Sequence, residues 1–231
     1  MREVRRRITA AAVRVGRDPA SVRLVAVGKG WPAGDVALAA AAGISDCGEN
    51  RVQEALPKIA ALAGIRWHMI GQLQRNKARA VAGRFVLVHS VDRRDLADAL
   101  QRAAERTGAA QDVLIQVSLT GRSSQGGVPP AGAAQLLGHV QRLDALRPLG
   151  LMVIAPATAD PEAARPAFAT LRLLRERLRA SSGLALPELS MGMSGDFEVA
   201  VEEGATIVRV GSAIFGNRPP ADRPAAASAH G

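Results

Sequence analysis

Short apolar runs rich in Val, Ile and Leu recur eight times along this chain of 231 residues, and longer stretches of helical period separate them. The runs fall at 22–27, 44–47, 65–70, 85–91, 113–118, 149–154, 188–191 and 207–210. Helical stretches lie at about 33–42, 51–62, 74–82, 93–106, 130–143, 161–180 and 196–203, and one more helix occupies the N-terminus. Such alternation belongs to parallel sheets, because parallel neighbours need a crossover between them. The runs are too short and too continuously apolar to be solvent-facing antiparallel ribbons. They predict an α/β fold, a single (β/α)8 barrel of the TIM type with an additional N-terminal helix. The rival is an open doubly wound sheet, and the lack of a GxGxxG turn after an early strand counts against it.

The barrel is expected to take up residues 1–218. The tail, 219–231, is rich in Pro, Ala and Ser without apolar period and reads as disordered. At this length there is room for the barrel and none for a second domain. No window approaches the roughly 18 apolar residues of a membrane span. The opening MREVRRRITAAAVRVGR lacks the apolar centre of a secretion signal and reads as a basic amphipathic helix. A lone cysteine, Cys47, leaves no internal disulfide and suits a reducing cytoplasm.

A net charge of +9 invites a nucleic-acid reading, but aromatic residues are 3% of the chain, tyrosine is absent, and the arginines are interspersed with Asp and Glu. The densest group, Arg2, Arg5, Arg6 and Arg7, is most simply a solvated helix face. How the basic residues divide is more informative: of 30, only three are lysine, at 29, 58 and 77. Arginine stays protonated and forms no imine, whereas a lysine amine can attack a carbonyl. For Lys58 and Lys77, both in helical stretches, survival by chance is the simplest reading.

In a parallel barrel, chemistry collects where strands end. The first run, LVAVGK, puts Lys29 just past its apolar part and on the same face as Val25 and Val27. The second ends DCGEN, offering Glu49 and Asn50; the third carries His68, and the fourth ends at His89 and Ser90. The seventh leads into SMGMSGD and the eighth into RVGSAIFG, so Gly192, Ser194 and Gly195 form one candidate anion cradle and Gly211 with Ser212 another. Phosphate binding between the last two loops recurs in such barrels. Amine and phosphate site together describe a ligand with a carbonyl and a phosphate, which fits pyridoxal 5'-phosphate (PLP) and also the sugar phosphate of a Schiff-base aldolase. Arg209 shares a face with Gly211. There it either donates to a pyridine nitrogen, holding it unprotonated, or pairs with an acid at the barrel rim.

The segments LVAVGKGWP, GEN-x-VQE at residues 48–54, RWHMIGQLQRNK, HSVDR, VLIQVS, GLM, LSMGMSGDFEVAVEEG and VRVGSAIFG run in order from about residue 22 to 217. In these the chain resembles the PLP homeostasis proteins, single-domain relatives of the alanine racemase N-terminal barrel. The resemblance implies a cofactor held as a Schiff base on Lys29, a phosphate held by Ser194, Gly211 and Ser212, a pyridine nitrogen facing Arg209, and Asn50 near the ring. It also implies a monomer. His68 matches the family too, and on this strand a satisfied core histidine is as good a reading as a ligand contact. Gly28 and Gly30 stand where the family usually has Ser or Thr, which removes hydroxyl contacts and loosens the segment carrying Lys29. Cys47 and Arg51 replace bulky or aromatic residues, and the family's Ser-Lys-x-Gly loop reads SSQGG at residues 123–127.

Arginine at the ring nitrogen weakens the cofactor as an electron sink, leaving racemase-like proton transfer as the most compatible chemistry. A two-base racemase needs a second base, a tyrosine from another domain in alanine racemases, and this chain has no tyrosine. His68, His89 or Cys47 are the remaining candidates. The expectation is therefore a cofactor carrier that buffers PLP and hands it to apo-enzymes, with a broad, weakly active amino-acid racemase as the alternative and no part for nucleic acid or membrane.

Overall fold

The computed structural model describes residues 1–119, 125–156 and 158–216. Eight strands close into a barrel in sequence order: β1 (Arg23–Val27), β2 (Asp46–Glu49), β3 (Arg66–Met69), β4 (Leu87–Val91), β5 (Gln111–Val117), β6 (Leu146–Val153), β7 (Glu188–Ser190) and β8 (Ile207–Val210). All neighbours are parallel, and β1 seals the barrel against β8 with Val25 opposite Arg209. The (β/α)8 expectation therefore holds. The boundaries shift by one to three residues because strand ends are set by the neighbour's hydrogen bonds and not by local hydrophobicity.

The outer layer is α1 (Arg2–Arg14), α2 (Ala33–Ala41), α3 (Val52–Ala61), α4 (Ala78–Val81), α5 (Arg94–Thr107), α6 (Pro130–Val140), α7 (Arg165–Ser182), α8 (Phe197–Glu202) and α9 (Ser212–Phe215). Each of α1–α8 buries residues against the barrel, and the single turn of α9 buries none. In α5, Leu96, Leu100, Ala103 and Ala104 face the sheet at spacings of three and four, and burying each leucine contributes roughly 1.5–3 kcal/mol. The stretch expected as one helix over 74–82 is instead a 3-10 turn at Arg75–Lys77 leading into the single turn of α4. The short α9, after the last strand, was not expected.

α1 packs Val4, Ile8, Ala11 and Ala12 into the core. The basic cluster on α1 is not wholly a solvated face: Arg7 pairs with Glu198 at 2.6 Å and lies 4.6 Å over the Phe197 ring. No helix among the described residues is long and apolar enough to cross a membrane. The barrel spans described residues up to Phe215, and the segment 219–231 lies outside the described residues, as do Ser123 and Ser124.

Most buried apolar residues lie in one cluster shared by the helices and the outward-facing strand positions. A second, small cluster of Val25, Leu87, Leu114, Met152 and Ile207 has the opposite strand parity and fills the barrel itself. One step further along the same parity come His89, Gln116 and Arg209, all buried, so the barrel interior turns polar toward the strand ends.

Candidate functional site

Because the strands are parallel, every strand end opens on one face, and the loops after β1, β7 and β8 meet there. Lys29, Trp31, Ser194, Gly195, Arg209, Gly211 and Ser212 line a cavity of about 370 Å³, a size suited to a small ligand. Five of the six residues singled out from the sequence are thus together. The sixth, Asn50, lines a separate, larger cavity of about 1180 Å³ with Met69, Gly71 and Gln116.

The anion end is built by the loop after β7. Gly192 has φ +93°, and a Cβ there would lie 2.6 Å from the Ala200 Cβ and 3.0 Å from the Phe197 Cα, so only glycine fits this turn. Asp196 accepts from the Met193 amide at 2.6 Å; burial raises its carboxyl pKa, and that hydrogen bond opposes the rise. The turn presents Ser194, whose Oγ accepts from the amides of Gly211 at 3.1 Å and Ala213 at 3.3 Å. Among the described residues its own hydroxyl hydrogen remains to be donated, as do the Gly195 and Ser212 amides and the Ser212 hydroxyl. A Cβ at Gly211 would meet only Val27, at 3.4 Å, which is ordinary contact. The protein's own packing therefore does not require glycine at 211, and a ligand pressed onto that backbone would. Donors without acceptors beside an open glycine fit the phosphate of PLP.

Across the cavity Lys29 is exposed, while the peptide groups on either side of it are held by α3. Lys58 Nζ donates to the Gly28 carbonyl oxygen at 2.8 Å, and Glu54 Oε2 accepts from the Gly30 amide at 3.2 Å. These residues are one helical turn apart, so a single helix face grips both glycines. The loosening expected from Gly28 and Gly30 is in this way offset. The chance reading of Lys58 is overturned for the same reason: its ammonium is buried and sits 2.7 Å from Glu49 Oε1. Burial raises the Glu49 carboxyl pKa, with Lys58 opposing, and Glu49 Oε2 has no hydrogen-bond partner among the described residues. A Cβ at position 28 would lie 3.0 Å from Glu49 Oε1, so Gly28 leaves room for this pair. The rim closes with Trp31 stacked on Phe215, ring centroids 5.7 Å apart.

Arg209 is 4% exposed and makes no direct ion pair among the described residues; the acid that acts on it, from beyond contact distance, is Asp196. Its Nη1 donates to Ser190 Oγ at 2.6 Å and its Nη2 to the Val153 carbonyl oxygen at 2.8 Å. Burial lowers its pKa to about 10, so it remains a cation at neutral pH.

None of His68, His89 and Cys47 lines the Lys29 cavity. Both histidines are hydrogen-bonded in the barrel interior, and burial lowers the pKa of each. Burial likewise pushes the Cys47 thiol up to about 12, with Glu49 adding to the rise.

Residues 3–219 match the family model described as the N-terminal domain of alanine racemase. The chain belongs to this family. Within it, the chain is 45% identical over 214 residues to the pyridoxal phosphate homeostasis protein of Aquifex aeolicus, covering 92% of this chain and 94% of that one. The homonymous protein of Pseudomonas aeruginosa is also 45% identical, over 218 residues and 94% and 93% of the two chains. Among solved structures, PipY of Synechococcus elongatus with PLP bound superposes with a TM-score of 0.81 at 39% identity, over 92% of this chain and 100% of that one. Alanine racemase of Clostridium difficile shares the fold, with a TM-score of 0.70 at 16% identity, over 94% of this chain and 57% of the racemase. This member of the alanine racemase N-terminal family is thus one of its pyridoxal phosphate homeostasis proteins.

Proposed function

We propose that the chain binds PLP reversibly as a Schiff base on Lys29 and serves as a carrier, buffering the free cofactor and releasing it to apo-enzymes without robust catalysis. One observation carries the reading: an exposed lysine, a buried arginine and a cluster of unused amide and hydroxyl donors converge on one cavity of about 370 Å³. Ser194, Gly211 and Ser212 bind the phosphate, Arg209 donates to the pyridine nitrogen, and Asn50 is assigned a place near the ring. Attachment joins Lys29 Nζ to the aldehyde carbon and releases the aldehyde oxygen as water. Bound PLP supplies an electron-withdrawing ring, and Arg209 weakens it by keeping the ring nitrogen unprotonated.

Racemisation would need a second base opposite Lys29. The chain has no tyrosine, and His68, His89 and Cys47 are each 1% exposed or less. Lys29, by contrast, is open to solvent, which suits transfer of the cofactor to another protein. The carrier is proposed to be a cytoplasmic monomer. The exposed large apolar side chains, Val13, Val15, Leu38, Val86, Leu173 and Met193, are spread over several elements instead of forming one face.

Mixing the protein with PLP is expected to give an absorption band distinct from that of the free cofactor. Borohydride should convert it to a permanent mass adduct on the Lys29 peptide. No band, or an unchanged band in Lys29→Ala, overturns the reading. Lys29-dependent exchange of the alanine α-hydrogen with deuterated solvent would replace the carrier with a racemase. Borohydride trapping of a sugar phosphate without a chromophore would point to an aldolase.

A further inference from the structure

A continuous line of buried side chains crosses the barrel interior from Arg209 to the opposite end. Arg209 Nη1 lies 2.6 Å from Ser190 Oγ, which lies 2.8 Å from His89 Nδ1. His89 Nε2 lies 3.0 Å from His68 Nδ1, and His68 Nε2 lies 2.9 Å from Asp46 Oδ1. The other Asp46 oxygen accepts from Arg66 at 2.6 Å and Ser45 at 2.7 Å. These residues come from β8, β7, β4, β3 and β2, and the five from Arg209 to Asp46 are each no more than 4% exposed.

The hydrogens can be assigned by elimination. Burial alone would raise the Asp46 pKa, but the hydrogen bonds from His68, Arg66 and Ser45 carry it well below the usual carboxylate range. Asp46 is therefore a pure acceptor, and His68 carries hydrogen on Nε2. Both rings are neutral, since burial outweighs Asp46 at His68 and, at His89, adds to repulsion from His68, Arg209 and Arg23. His68 Nδ1 then accepts from His89 Nε2–H. His89 Nδ1 in turn accepts from the Ser190 hydroxyl, whose oxygen accepts from Arg209. Every hydrogen points away from Arg209 and toward Asp46. The reverse order would leave the Ser190 hydroxyl hydrogen buried without an acceptor and make His68 a positive ring near Arg23 and Arg66.

We propose that Ser190, His89, His68 and Asp46 are positioning residues that hold the Arg209 guanidinium at the ligand cavity through a hydrogen-bond relay of fixed direction, with Asp46 as its remote anchor. In terms of ligand, this rests on the reading that the ring nitrogen of PLP meets Arg209. The relay gives a buried guanidinium, which makes no direct ion pair among the described residues and feels Asp196 only from beyond contact distance, a second anionic terminus four hydrogen bonds away. It occupies the inward N–H groups, leaving others for the cavity.

The test has two arms. In ligand-free protein, nitrogen NMR should find both His68 and His89 neutral with hydrogen on Nε2 at pH 7. The Arg209 Nε–H should exchange slowly, and at least about tenfold faster in Ser190→Ala and Asp46→Asn. In PLP-loaded protein, the same variants should still attach the cofactor at Lys29 but release it about tenfold faster, with a shifted absorption maximum, and Ser190→Thr should restore both. Hydrogen on Nδ1 of either ring, or wild-type exchange in both variants, overturns the relay. Unchanged release and absorption overturn its service to the site. If the wild-type protein takes up no PLP, the cofactor reading fails and the ligand-free arm alone decides the positioning of Arg209.

Discussion

Lys58, on α3, holds Glu49 at 2.7 Å and the carbonyl oxygen of Gly28 at 2.8 Å, so one ammonium ties the end of β2 to the residue before Lys29. Removing it strands a buried carboxylate that already has one unpaired oxygen. Lys58→Met is expected to lower unfolding free energy by about 3 kcal/mol or more. Adding Glu49→Gln to that variant should recover part of the loss. Urea unfolding of the two single variants and the double variant measures the coupling.

Acid should weaken the fold well above the carboxylate range. His68 and His89 have lowered pKa values in the folded chain, whereas the unfolded chain takes up protons near pH 6.5. Below about pH 6.5 the unfolded state binds more protons, so stability falls by roughly 1.4 kcal/mol per pH unit for each histidine until its folded value is reached. Asp46, with its lowered pKa, adds stability that is present above about pH 3.9 and is lost as pH drops further. The urea midpoint should decline between pH 6.5 and 5, and about half as steeply in His89→Gln.

Cys47 is fully buried, with its thiol pushed up to about 12. It should ignore a disulfide reagent at pH 8 in the native protein and react at once in 8 M urea, on the order of a thousandfold faster. Equal rates would mean that β2 opens readily.

Gly192→Ala forces a Cβ to 2.6 Å from Ala200 at a φ of +93°. We expect a loss of about 2–4 kcal/mol together with weaker binding of inorganic phosphate, because the same turn presents Ser194. Calorimetry and phosphate titration separate the two effects.

The barrel was legible because its strands are buried on both faces and leave unbroken apolar runs, as in FVLV before His89. Lys29, Ser194, Arg209, Gly211 and Ser212 were legible because parallel strands deliver all their ends to one face. The grip of Lys58 and Glu54 was not, because it joins residues 24 and 30 positions apart and leaves no local pattern. The relay was half visible: histidines within apolar strands signalled that something satisfies them. Its partners were hidden, since His89 meets Ser190 across 101 positions. Arg209 stayed ambiguous until its acceptors could be seen to be a hydroxyl and a carbonyl.

The pairing of β1 with β8 sets when the site comes into being. Lys29 leaves the ribosome early, while Arg209, Gly211 and Ser212 arrive with the last strand, so no nascent intermediate owns both halves. Ligand competence thus marks a closed barrel. A molecule bridging the two loops also bolts the one junction where the ring was sewn shut, and its presence should slow unfolding at that seam first.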